Sequence, residues 1–390
     1  MQKRLGRCPV FPGFIRPYVM PLSLNHRCLA FLDALPPDQR RHFPSYSEEK
    51  VLDFTSNDTL NLSGHPALKA AAIQAMKDYG VGSTGSRLLS GNHPLHMAVE
   101  ERLASLKKTE SALVFGGGFH TNASVLVALV SLPLWPKPPL LIMDKWIHAC
   151  WLRGAEGAPV VRYRHQDFDH LERLIQKHAP QHTPIIVTES IFSMDGDITD
   201  LSALARLKQR YPESLLIVDE AHATGAWGAG LVLPEHGADI VTGTFSKALG
   251  CYGGYVACSA AIREILIQKC PGLIYATAMP PMVLGAVGAA LDLLPTLQDQ
   301  RKHLYVLAEE ARTLLQNQGW DTGLSQTHII PIMVGDNAQC LNLRETLAKE
   351  NIGASAIRPP TVPPGTARLR LSLRVDHTRA DVERLLQSLS

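Results

Sequence analysis

LLIVDEAHATG, residues 215–225, decides the fold: an apolar run from Leu215 to Val218 ends in Asp219, and His222 follows three positions on. The run reads as a strand. In open α/β sheets ligands sit beyond the carboxyl ends of the strands, so Asp219 stands where a cofactor would be met. A buried carboxylate there needs a cationic partner, and a protonated pyridine nitrogen would serve.

Lys247 follows 28 residues after Asp219, inside TGTFSKALGCYGG (242–254), far enough for one crossover between neighbouring strands. It has no charged residue within five positions, only small and hydroxyl neighbours such as Thr244, Ser246 and Ala248. A desolvated ε-amine favours its neutral, nucleophilic form and can hold an aldehyde, while hydroxyls and backbone N–H groups take a phosphate. An ordinary turn lysine beside glycines is the alternative for this stretch alone. Lysine for an aldehyde carbon and aspartate for a ring nitrogen together point to pyridoxal phosphate.

Working outward, further strands are expected at Leu113–Phe115, Leu140–Met143, Pro159–Tyr163, Ile185–Thr188 and Ile240–Thr244, alternating with helices at 66–79, 96–106, 168–178 and 201–211. That alternation predicts an α/β fold with a mainly parallel, doubly wound sheet. The 96–106 helix is expected to carry its glutamates outward. LVFGGGFHTN (113–122) reads as strand, glycine turn and helix start, a candidate phosphate cradle, although a tight turn explains the glycines equally well. GVGSTGSRLLSGN (80–92) is glycine-rich enough for close approach to a ligand or a second subunit. His93 and His96 lack a third ligand nearby and read as structural, so no metal is expected.

Three parts are expected: an N-terminal arm (1–55), a large cofactor-binding domain (56–280) and a small α+β domain (281–390). Four prolines keep residues 1–26 from a regular helix, and Met20 is a candidate start. Arg40 and Arg41 read at face value as a solvated basic turn. In the last strand, Ala367–Val375, Leu369, Leu371, Leu373 and Val375 share one face and Arg368, Arg370, Ser372 and Arg374 the other. Thr378 and Asp381 make a capping box for the closing helix.

A net charge of +2 is too balanced to imply nucleic acid or an anionic membrane. Seven scattered cysteines without a CxxC read as reduced thiols in a cytoplasmic protein. Neither a membrane span nor a signal peptide is expected.

GSTGSRLLSGN, SIFSMDGD, VDEAHATG, TFSKALG and IRPPTVPPGTARLRLSL, met in this order along the chain, resemble the α-oxoamine synthases, fold-type I pyridoxal phosphate enzymes, and the resemblance runs from about residue 40 to the C-terminus. The resemblance implies that Lys247 carries the cofactor and Asp219 partners its ring nitrogen. It implies that His222 bonds the phenolic oxygen, His148 stacks on the ring and acts in catalysis, and Gly118, Phe119, Ser193 and Thr244 complete the cofactor site. Arg358 and Thr361 match substrate-binding positions, Arg358 the carboxylate's, with Arg370 the competing ligand; Arg40 matches a substrate arginine. The implied reaction is decarboxylative condensation of L-alanine with pimeloyl-CoA or a pimeloyl-acyl carrier protein, in a homodimer. Rival readings are an oxoamine synthase using glycine or serine with another acyl-CoA, an ordinary aminotransferase, and a non-catalytic partner subunit. His120, after Phe119, departs from the small residues common there.

Overall fold

The structure, a computed structural model, describes residues 23–36, 38, 40, 41, 43 and 51–389. Met20 lies outside these residues. The described residues up to 43 form one unit and those from 51 onward another. In the first, Ser23 caps the helix Leu24–Ala34 through the His26 amide. Arg40 donates to the carbonyls of Leu32 (2.6 Å) and Leu35 (3.4 Å) at the end of that helix, a favourable place for a cation.

Among its described residues the second unit holds twelve strands, in chain order. They are β1 (Leu52–Asp53), β2 (Ser111–Phe115), β3 (Pro139–Asp144), β4 (Val160–Tyr163), β5 (Thr183–Glu189) and β6 (Leu215–Asp219). There follow β7 (Ile240–Thr244), β8 (Gly254–Cys258), β9 (Ile329–Gly335), β10 (Ile352–Gly353), β11 (Ser355–Ile357) and β12 (Ala367–Ser372). A seven-stranded sheet runs β2-β8-β7-β6-β5-β3-β4. β8 runs antiparallel to both of its neighbours, β2 and β7, and the remaining pairs of this sheet are parallel. β6 and β7 are adjacent and parallel, as the 28-residue spacing requires. In register, Glu189, Asp219 and Thr242 form one row across the carboxyl ends of β5, β6 and β7. That row is where the chemistry collects.

Both faces of this sheet are buried. Leu103, Leu204, Val218 and Leu284 belong to one core and Leu126, Met143, Trp151 and Leu266 to the other. The hairpin from β7 to β8 carries Lys247 and ends in Gly253 and Gly254. A Cβ on Gly254 would lie 2.4 Å from Thr121 Oγ1 and 3.0 Å from Gly118 Cα, so only glycine lets this strand start against the helix Gly118–Val130.

A smaller antiparallel sheet, β11-β12-β9, packs with the helices Gln298–Asn317, Asn337–Lys349 and Arg379–Ser388 around a core including Leu307, Ile330, Leu369 and Leu385. The Thr378–Asp381 capping box is present.

The observed packing departs from the sequence reading at four places. The helix Pro281–Leu293, expected in the small domain, lays Leu284, Val287 and Leu291 into the large-sheet core, against the helices Pro66–Tyr79 and Pro94–Lys107. Residues 52–54, expected in the arm, belong to the small core: β1 pairs with β10, and Phe54 is fully buried. Glu100, expected on an outer face, is buried and pairs with Arg87 because its carboxylate also accepts the Val114 amide. β8 and the helix Ala260–Lys269 were not foreseen. Among the described residues no single helix is long and apolar enough to cross a membrane.

Candidate active site

Lys247 leaves the turn after β7 and places Nζ 2.8 Å from Nε2 of His222 on the turn after β6. Burial lowers the lysine to about 8, although Asp219 and Glu189 oppose this. Burial, reinforced by the Lys247 charge, also pushes His222 well below its ordinary range, so its ring is neutral and can accept from the amine.

Asp219, the last residue of β6, is buried and held by three N–H donors. Ala221 N reaches Oδ1 at 2.9 Å; Asn122 Nδ2 and Trp151 Nε1 reach Oδ2 at 2.6 and 3.1 Å. Beside it in register, Glu189 accepts the His148 amide at 2.6 Å. Burial and the Asp219 charge push the Glu189 carboxyl well above the usual range. His148 caps the helix Ala149–Gly154 and sets Nδ1 2.9 Å from Cys150 Sγ. Asp219 and Lys247 both act on its ring electrostatically.

Across from this row stand residues brought by the small sheet. Arg370 on β12 donates from Nε to the Ser193 carbonyl (2.5 Å) and from Nη2 to Asn57 Oδ1 (3.1 Å). Burial lowers it to about 10, and its charge bears on both Lys247 and His222. Arg368 pairs with Asp195. The arginine face of β12 is thus turned inward. His328 is buried, bonded to Thr59 Oγ1 at 3.3 Å, and lowered to about 3 by burial, Arg370 and Lys247.

Of the residues expected from sequence, Lys247, Asp219, His222 and His148 meet in one site. Gly118 joins Thr244, since a Cβ on Gly118 would lie 3.3 Å from Thr244 Cβ. Phe119 is exposed. Ser193 meets Arg370 through its carbonyl. Arg358, half-buried, and Thr361, exposed, share one turn after β11, with the Thr361 amide on the Arg358 carbonyl at 3.0 Å; the Arg358 charge acts on Cys340. Arg40 belongs to the other unit. Among the described residues no cluster could hold a metal ion.

Pyridoxal phosphate fits this set. The helix Gly118–Val130 begins with no side-chain cap, leaving N–H groups for a phosphate next to Thr244 and Ser246, whose hydroxyls are 2.7 Å apart. Thr242 Oγ1, buried in the same row as Asp219, has no hydrogen-bond partner. The amine and carboxylate are of the kinds an aldehyde and a ring nitrogen require.

Residues 49–389 match the family model for aminotransferase class I and II. The 8-amino-7-oxononanoate synthase of Gluconacetobacter diazotrophicus is 46% identical over 347 residues, 87% of each chain. An 8-amino-7-oxononanoate synthase structure from Francisella tularensis is 29% identical with TM-score 0.73, covering 87% of this chain and 96% of that one. A serine palmitoyltransferase from S. paucimobilis with a bound PLP–myriocin adduct is 26% identical with TM-score 0.80, covering 87% and 86%. The chain belongs to the class I and II aminotransferase family, and within it to the 8-amino-7-oxononanoate synthases. It is a fold-type I acyltransferase, and its cofactor is pyridoxal phosphate.

Sequence reasoning missed Asn122, Trp151 and Asn57 and made little of Glu189. Asn122 alone carried a signal, since four residues after Gly118 it falls on the same helix face.

Proposed function

We propose that the chain condenses L-alanine with a pimeloyl thioester, of coenzyme A or of an acyl carrier protein, releasing carbon dioxide, the free thiol and 8-amino-7-oxononanoate for biotin synthesis. The observation that carries this reading is the Lys247 amine, lowered to about 8, set 2.8 Å from a neutral His222 and in the electrostatic reach of Asp219.

The bound pyridoxal phosphate supplies an electron sink for charge developing at the substrate α-carbon. Lys247 anchors it and then takes and returns the α-proton through Nζ, as an amine near 8 can at neutral pH. Asp219 keeps the ring nitrogen protonated. His222 takes the phenolic oxygen, His148 packs on the ring, and Gly118, Phe119, Ser193 and Thr244 complete the cofactor contacts. The carboxylate of alanine falls to Arg370, because its charge acts on Lys247. This reverses the order in which sequence ranked Arg370 and Arg358. Arg358 and Thr361 bound the substrate from their turn, and Arg40 keeps the substrate role that its match to the family pattern implies.

The protein works as a cytoplasmic homodimer. The exposed apolar residues Val81, Leu88, Leu89 and Tyr275 support a second copy covering the 80–92 and 274–281 segments. These segments meet at the Ser86–Thr277 bridge. Sedimentation at working concentration tests this, and a fully active monomer would exclude it.

A second reading, glycine or serine with another acyl-CoA, rests on the likeness to serine palmitoyltransferase. A product assay with L-alanine, glycine and serine against a panel of acyl thioesters separates the two. Preference for alanine with the pimeloyl donors is expected.

A further inference from the structure

We propose that Trp151 and Asn122 are positioning residues that fix which oxygen of Asp219 meets the cofactor. The inference rests on the placing of the pyridoxal ring nitrogen at Asp219. Each carboxylate oxygen offers two lone-pair sites. Oδ2 spends both, on Asn122 Nδ2 at 2.6 Å and Trp151 Nε1 at 3.1 Å. Oδ1 spends one, on the Ala221 amide at 2.9 Å. Oδ1 therefore has the lone pair left for the ring N–H.

The fork cannot turn. An indole nitrogen only donates, so Trp151 holds an acceptor and nothing else. The Asn122 amide is oriented as well: Nδ2 also reaches Cys150 Sγ at 3.3 Å, and a flip would set Oδ1 against the carboxylate. Trp151 is fully buried, so water cannot replace its N–H. The two helices that carry the donors are pressed together, for a Cβ on Gly154 would lie 2.7 Å from the Ala123 carbonyl oxygen. Neither helix can withdraw its donor without moving the other.

Trp151→Phe keeps an aromatic ring but removes the N–H together with the pyrrole half of the buried indole. The holoenzyme is loaded with pyridoxal phosphate labelled with 15N in the ring. The ring-nitrogen resonance is recorded together with the rate of α-proton exchange from alanine. Trp151→Phe moves the resonance from its parent position and slows exchange about tenfold, the scale of one hydrogen bond to a charged group. Trp135→Phe, whose indole bonds only the Leu129 carbonyl, changes neither. Asn122→Ala, which leaves Oδ2 with the indole alone, moves the resonance as well and serves if Trp151→Phe does not fold. A folded variant with the parent's resonance and exchange rate overturns the positioning role alone. A parent that takes up no cofactor overturns the cofactor assignment with it.

Discussion

Arg370 reaches back from β12 to the carbonyl of Ser193, 177 positions earlier in the chain, and donates to it at 2.5 Å. One bond joins the small sheet to the loop after β5, and the same guanidinium puts its charge on Lys247. The proposed substrate recognition and one of the ties between the two sheets, beside the Arg368–Asp195 pair, therefore share one side chain.

Arg370→Lys keeps the charge and loses the planar fork that grips a carboxylate. Titrating alanine against the absorbance of the bound cofactor is expected to show a dissociation constant about tenfold higher or more, with cofactor affinity little changed. Arg358→Lys serves as the comparison. If Arg358→Lys gives the large rise and Arg370→Lys none, the carboxylate belongs to Arg358.

Lys247→Ala removes the amine proposed to anchor the cofactor and move the proton. Turnover and the visible band of the anchored cofactor are both expected to vanish, while circular dichroism stays that of the parent. Carbon dioxide released from alanine and pimeloyl thioester at the parent rate would remove Lys247 from the mechanism.

His165 bridges Asp144 (2.9 Å) and Asp197 (2.8 Å) while stacking on Trp146. Burial works against its charge, but the two carboxylates prevail and raise it to about 9. A raised histidine contributes stability in full below its unfolded value near 6.5, lost as pH climbs through 9. The shift corresponds to about 3 kcal/mol. Denaturant unfolding of cofactor-free protein is expected to show His165→Gln about that much weaker than the parent at pH 6, with the gap closing by pH 10. A gap that stays constant with pH would mean that His165 acts by packing alone.

Glu100→Ala leaves the half-buried Arg87 with Asn92 alone and the Val114 amide without its acceptor. Removing one partner of a buried pair costs about 3–5 kcal/mol. Midpoints of urea unfolding check this, and Glu100→Ala within 1 kcal/mol of the parent, a margin set by that range, would show the pair to be unimportant.

The legible parts of the fold and site were local ones. Alternation of apolar strands and periodic helices pointed to the parallel sheet, and Asp219, His222 and Lys247 stood out because each lies at, or within three residues of, the end of its strand. Asn122 and Trp151 lie 97 and 68 positions from Asp219, and no local pattern joins them. β8 escaped notice because GYVAC has the same apolar character whichever way it runs. Glu100 was misread because an acidic residue on a helix is ordinarily solvated, and its buried partner comes from a glycine-rich loop. The inward turn of the β12 arginines was not legible, since alternation tells which residues share a side but not what covers that side.

The early segment 52–59 is stitched to the end of the chain. β1 pairs with β10, the Ser372 amide bonds the Phe54 carbonyl at 2.8 Å, and the Val375 amide bonds the Thr59 carbonyl at 2.9 Å. Asn57 and Arg370 meet across 313 positions. On the ribosome, at about 5–20 residues per second, the first of these partners waits on the order of half a minute for the last. The large sheet can close during that interval, but the arginine whose charge acts on Lys247 cannot be in place until residue 370 has been made. A nascent or prematurely terminated chain is consequently an incomplete catalyst, however well its central sheet has formed.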